Sequence, residues 1–170
     1  MRQLLLLRHA KSSRDDPALD DFNRPLAERG LKTAPLIGRE LAAHAWLPDL
    51  ALVSPALRTR DTWRLVAAEL PMHPRSVFAE ALYDASAADI MSQIRLADPS
   101  DGCLLVVGHN PGLEDLAKQL AGSGSEAKAR KRLEEKFPTA ALARFVFDRD
   151  WFGLTSARLT HFLRPRDLSQ

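Results

Sequence analysis

Apolar positions along the chain fall into short unbroken runs separated by longer stretches with a helical beat. QLLLL at Gln3–Leu7 is such a run, and it halts abruptly on Arg8 and His9. Ala51–Val53 and Cys103–Val107 repeat the pattern, Ser76–Phe78 is a weaker strand signal, and Ala141–Phe147 and Arg158–Leu163 form a final pair joined around Trp151–Gly153. Short apolar runs bounded by polar residues read as buried strands. Between them, Pro25–Ala45 carries Leu26, Ala34, Ile37, Leu41 and Ala42 at helical spacing, with Gly30 and Pro35 weakening its first turns. Ala56–Leu70, Ser86–Leu96 and Gly112–Ala121 are further helices, and Ser86 with Asp89 has the spacing of a capping box. Strands alternating with helices predict an α/β fold. The expected form is a single domain over residues 1–170, three-layer α/β/α, with a mostly parallel central sheet and one edge or near-edge strand antiparallel. The biased segment GSGSEAKARKRLEEK, Gly122–Lys136, has a flexible start and alternating charges that suit an exposed helix or loop.

Composition narrows the classes. With 45% apolar and 27% charged residues in 170, the chain has enough material for a core and is not a disordered sequence. A net charge of +2, from 24 basic and 22 acidic side chains, is too even for a nucleic-acid footprint built on bulk charge. It leaves room for a local basic mouth facing an anionic substrate. Four leucines are too few to span a membrane, and no targeting pattern leads the chain. One cysteine, Cys103, excludes an intrachain disulfide and fits a reducing compartment, so a cytoplasmic protein is expected. The oligomeric state is left open.

Candidate chemistry sits at three strand tips. The first strand ends in RH, the second leads into SPALRTRDT, and the fourth into GHNPG. Ser54-Pro55 and Asn110-Pro111 read as helix starts, with Ser or Asn as cap and Pro in the first turn. In open α/β sheets ligands bind past the carboxyl ends of the strands. Two helix N-termini there favour an anion. Arginine pairs its donors with phosphate oxygens, and a neutral imidazole can carry a phosphoryl group covalently. Flanking cations should keep the imidazole uncharged.

RHAKS at Arg8–Ser12, SPALRTRDT at Ser54–Thr62 and GHNPG at Gly108–Gly112, in that order, resemble the histidine phosphatase superfamily, the phosphoglycerate-mutase-like group. The compact length and DFNRPLAERG, Asp21–Gly30, are most similar to its SixA-type phosphohistidine phosphatases. The resemblance implies His9 as the nucleophile that becomes phosphorylated. It implies Arg8 and Arg58 as holders of the phosphoryl oxygens, with Arg60 as the alternative to Arg58, and His109 as a further donor. Lys11 and Asn110 join them as substrate-binding candidates. Glu80 matches the position of an acidic residue in many relatives and is the candidate proton donor, with Asp84 and Asp21 as alternatives. Ala10 stands where many members have Gly, which a negative φ would tolerate. No cofactor and no metal are implied. The implied substrate is a phosphohistidine-bearing protein or a small phosphorylated molecule, attacked through a covalent intermediate without metal, and Lys11–Asn23 is the candidate rim.

Each residue alone has a plain explanation: an arginine at a strand end is commonly a surface group, and a histidine after a strand a packing residue. The convergence of three polar tips on one edge is what favours a site. His44, His73 and His161 lack such company and read as structural or surface groups. Arg24 and Lys11 taken singly read as surface cations, and Trp46, Trp63 and Trp151 as packing residues. A small-molecule phosphoesterase and a non-catalytic phosphohistidine-binding module remain the rival functions, with a mutase disfavoured by the short chain.

Overall fold

The computed structural model describes residues 1–168. Its strands β1 (Arg2–Arg8), β2 (Leu50–Val53), β3 (Arg75–Phe78), β4 (Cys103–Gly108), β5 (Leu142–Phe147) and β6 (Arg158–Leu163) form one sheet in the order β3-β2-β4-β1-β5-β6. β3, β2, β4 and β1 run parallel, whereas β5 is antiparallel to both β1 and β6. A single near-edge strand is therefore reversed, as the sequence predicts. Helices α1 (Glu28–Ala43) and α2 (Leu57–Ala67) cover one face, and α3 (Ala87–Arg95), α4 (Gly112–Leu120) and α5 (Ala127–Glu135) the other.

This layering explains the four leucines in a row. Successive side chains of a strand point to opposite faces. Leu4 and Leu6 pack with Leu104 and Val106 beneath Ile90, Leu113, Leu116 and Leu133. Leu5 and Leu7 pack with Leu105 and Val107 against Ile37, Leu41, Trp63 and Val66. A strand buried on both sides has no polar alternation to show, and each leucine so buried contributes about 1.5–3 kcal/mol.

Helix ends depart from the sequence reading in instructive ways. Pro35 lies inside α1 without ending it, because Ala34, Ile37 and Leu41 hold that helix to the core. The capping box of α3 forms as expected: Asp89 N donates to Ser86 Oγ at 3.1 Å and Ser86 N to Asp89 Oδ2 at 3.2 Å. The Ser-Pro start does not. Helix α2 begins after Ala56 with no side-chain cap, since the Ser54 hydroxyl is engaged elsewhere. In α4, Pro111 itself occupies the cap position, yet Asn110 Oδ1 still accepts the Glu114 amide at 3.2 Å. The charge-rich segment yields α5, which is not wholly solvated: Ala129 and Leu133 are buried in the core. Trp46, Trp63 and Trp151 are buried, and His44 stacks on Trp46 at 4.0 Å.

Candidate active site

A cavity of about 650 Å³ opens beyond the carboxyl ends of β1, β2 and β4, the strand tips singled out by the sequence. Arg8, His9, Arg58 and His109 line it together, joined by Lys11 and Asn110. Its rim draws on residues 12–15 and on Asp21 and Arg24, within and just past the predicted rim.

His9 leaves β1 with its backbone fixed on every side. Its amide donates to the Gly108 carbonyl at 3.1 Å, and the Ala140 amide donates to the carbonyls of both Arg8 and His9, at 3.1 and 3.0 Å. The next amide, that of Ala10, donates to Thr62 Oγ1 at 3.0 Å, and Thr62 Oγ1 in turn donates to the Arg58 carbonyl at 2.7 Å. The methyl of Ala10 is accommodated because its φ is not in the left-handed region. His9 Nδ1 lies 2.7 Å from the Ala10 carbonyl. A carbonyl only accepts, so Nδ1 carries the proton and Nε2 keeps its lone pair. The His9 and His109 rings are 5.5 Å apart between centroids. His109 Nε2 is 2.7 Å from Ser54 Oγ, while its Nδ1 is buried with no hydrogen-bond partner among the described residues.

Arg58 is anchored by Asp21. Its Nη1 donates to the Asp21 carbonyl at 2.7 Å and its Nη2 to Asp21 Oδ2 at 3.0 Å. The same oxygen accepts the Tyr83 hydroxyl at 2.6 Å, and Oδ1 accepts Arg24 Nε at 3.1 Å. Arg24 is thus not a surface cation: it is buried, neutralises Asp21 and donates to Ser12 Oγ at 2.8 Å, tying down the rim. Arg8 Nη1 donates to the Phe137 carbonyl at 3.0 Å, which also accepts Asn110 Nδ2 at 2.9 Å. Asn110 therefore serves the backbone as well as lining the cavity.

Electrostatics follow from burial. His9 is lowered to about 3, first by burial, against the Ala10 hydrogen bond and with His109, Arg58 and Arg8 adding to the shift. His109 is lowered to about 4, again by burial first and by Arg58 next. Both rings are neutral at pH 7, with the cations secondary to burial. Asp21 is held well below the usual carboxylate range, by the Tyr83 hydrogen bond first and by Arg58 after it, while Tyr83 is pushed up to about 12 by the same bond. A carboxyl kept ionised in this way is a poor proton donor.

Of the sequence candidates, the structure gathers Arg8, His9, Lys11, Arg58, His109 and Asn110. Glu80 is not among them: it is exposed at the start of a 3-10 turn, Glu80–Leu82, outside the cavity lining. That turn directs Tyr83 and Asp84 to the cavity instead. Arg60, the alternative to Arg58, is exposed and lies outside as well. The sequence reading missed Ser54 as the partner of His109 and Tyr83 as the partner of Asp21. Among the described residues, no three His, Cys, Asp or Glu side chains cluster as metal ligands. A set of neutral imidazoles amid guanidinium groups can bind a phosphoryl group and accept it on nitrogen.

Residues 4–99 match the model of the histidine phosphatase superfamily, branch 1. An uncharacterised protein of Mycobacterium tuberculosis is 38% identical over 138 residues, 81% of this chain and 84% of its own. A solved structure described as a candidate phosphohistidine phosphatase SixA of Agrobacterium tumefaciens superposes with a TM-score of 0.82 at 30% identity, over 96% of this chain and 98% of that one. A likewise described protein of Nakamurella multipartitia gives 0.85 at 25% identity, over 96% of each chain.

Proposed function

The chain belongs to the histidine phosphatase superfamily, and on that premise we propose that it hydrolyses phosphorylated substrates through a phosphohistidine on His9. The observation that carries this reading is the Nδ1–Ala10 hydrogen bond at 2.7 Å, which leaves a lone pair on Nε2 of a residue lining the cavity. Nε2 attacks phosphorus, the bond to the leaving group breaks, and the leaving group takes a proton. Water then attacks the phosphoramidate, phosphate departs, and Nε2 regains its lone pair. Arg8 and Arg58 hold the phosphoryl oxygens, and His109 donates to them as charge develops. The neutrality of His9 fits a nucleophile ready at physiological pH.

The substrate in this proposal is a phosphohistidine side chain of another protein. Likeness to the SixA-described structures supports that choice. So does the state of the carboxylates: Glu80 stands outside, and Asp21 is spent on Arg58. A protonated imidazole leaves easily and places little demand on a general acid. Small phosphoesters are the second reading, favoured by Asp84, a carboxyl at the cavity wall.

The test follows wild type and His9→Ala with a phosphohistidine-bearing protein and with a chromogenic phosphoester, in excess chelator. Phosphate release by wild type alone, with acid-labile label on the enzyme that disappears in the variant, is the expected result. Equal release from both proteins would remove His9 as nucleophile, and the faster substrate decides between the two readings.

A further inference from the structure

Beside the first cavity lies a second hollow of about 330 Å³, and Lys11 and Thr139 line both. Its remaining walls come from three separate parts of the chain. Arg29 stands in the first turn of α1, Lys136 follows α5, and Arg164–Arg166 follow β6. The charge inventory is one-sided. Arg164 is spoken for, with Nε 2.9 Å from Asp167 Oδ2 and Nη1 3.6 Å from Glu135, and among the described residues Glu135 is the only carboxylate in the lining. Among the described residues, Lys11, Arg29, Lys136 and Arg166 have no ion-pair partner. Four exposed, unpaired cations thus face one hollow in a chain whose net charge is only +2. Like charges gathered this closely repel one another and do nothing for the fold.

We propose that this hollow docks carboxylate side chains of the phosphorylated protein, so that the enzyme selects an acidic segment flanking the phosphohistidine. The inference rests on the function proposed above. A segment whose phosphoryl group meets His9 would pass Lys11, at the shared wall, and lay its acidic residues among Arg29, Lys136 and Arg166. The cations are long, exposed side chains on separate elements, with no buried donor set into the hollow. That construction suits several mobile carboxylates of a peptide better than one compact dianion, for which a preformed cradle would be needed. Rim charges of this kind steer encounter and fix register.

The experiment uses the full chain, wild type and Arg29→Glu/Lys136→Glu. Both positions are exposed, and a carboxylate in the first turn of α1 suits the helix dipole. Three substrates are compared: a phosphohistidine peptide with flanking glutamates, the same peptide with glutamines, and a chromogenic phosphoester. Wild type should prefer the acidic peptide. The double variant should lose roughly tenfold in kcat/KM on it, mostly through KM, with a flatter salt dependence. The glutamine peptide and the phosphoester should be turned over unchanged. Equal wild-type rates on the two peptides, an unaltered variant, or a loss shared by all three substrates would overturn the proposal. Should wild type hydrolyse none of them, the catalytic reading fails by itself, and fluorescence anisotropy with the two peptides still decides docking. Tighter binding of the acidic one, abolished in the variant, supports it; equal binding overturns it.

Discussion

At the scale of single residues, the decisive contact is the one between Ser54 and His109. Ser54 is fully buried, and its Oγ is 2.7 Å from Nε2. When that hydroxyl donates, the ring proton is placed on Nδ1, the tautomer in which the mechanism we propose has His109 donate a hydrogen bond to the phosphoryl oxygens. Ser54→Ala should therefore lower kcat by ~10-fold or more while altering KM less, because a neutral donor of fixed orientation acts mainly in the transition state. Stability should fall by about 1–3 kcal/mol, the cost of a buried polar atom left without its partner. Steady-state kinetics and thermal denaturation of the variant check both. The apolar runs mark the strand tips at which Arg8, His9 and His109 stand, whereas Arg58, in the first turn of α2, is singled out over Arg60 by the resemblance. Sequence alone could not carry Ser54, Asp21 or Tyr83. Ser54 precedes a proline and so has the signature of a helix cap, and its true partner is 55 positions away. Asp21 and Tyr83 meet across 62 positions, with no local pattern to announce it. Glu80 was favoured by resemblance, but the turn it begins delivers Tyr83 and Asp84 instead.

At the scale of elements, β1, β2 and β4 are the most legible, because two-sided burial writes an unbroken apolar run. Helix ends are less so. Gly30 illustrates why: in the sequence it merely weakens the first turns of a helix, whereas in the fold it permits contact. A β-carbon there would collide with the Lys11 carbonyl oxygen, the group that accepts the Ala27 amide at 2.8 Å. Backbone cannot yield as a flexible side chain does. Gly30→Ala should cost about 1–3 kcal/mol by overpacking, despite alanine's better helix propensity. It should also raise KM, since the displaced Lys11 segment walls the cavity. Chemical denaturation and substrate titration read the two effects. For α5 the sequence leaves helix or loop open and misses the burial, for the opposite reason: two small or medium apolar residues, Ala129 and Leu133, anchor it beneath a dense covering of charge.

At the scale of the whole molecule, the buried histidines set an acid limit on stability. Folded His9 and His109 titrate at about 3 and about 4, against 6.5 for an ordinary histidine. As pH falls through 6.5 the unfolded chain takes up protons that the folded chain refuses, so stability declines from there down to the folded values. Two such groups give a slope of ~2.7 kcal/mol per pH unit. The depressed Asp21 adds its loss only below 3.8, the ordinary value for that carboxyl. Urea midpoints should thus drop between pH 6 and pH 4.5, and His9→Gln should remove about half of that slope. An equal slope in the variant would contradict the burial argument. The arrangement of the sheet has a further consequence, for biosynthesis. Gln3 lies opposite Cys103, and Leu7 opposite Leu142. The leucine-rich strand thus leaves the ribosome long before either neighbour exists. It must wait, unpaired and adhesive, while most of the chain is made. Nascent-chain chaperones should find their foremost binding site in the segment that later sits at the middle of the sheet.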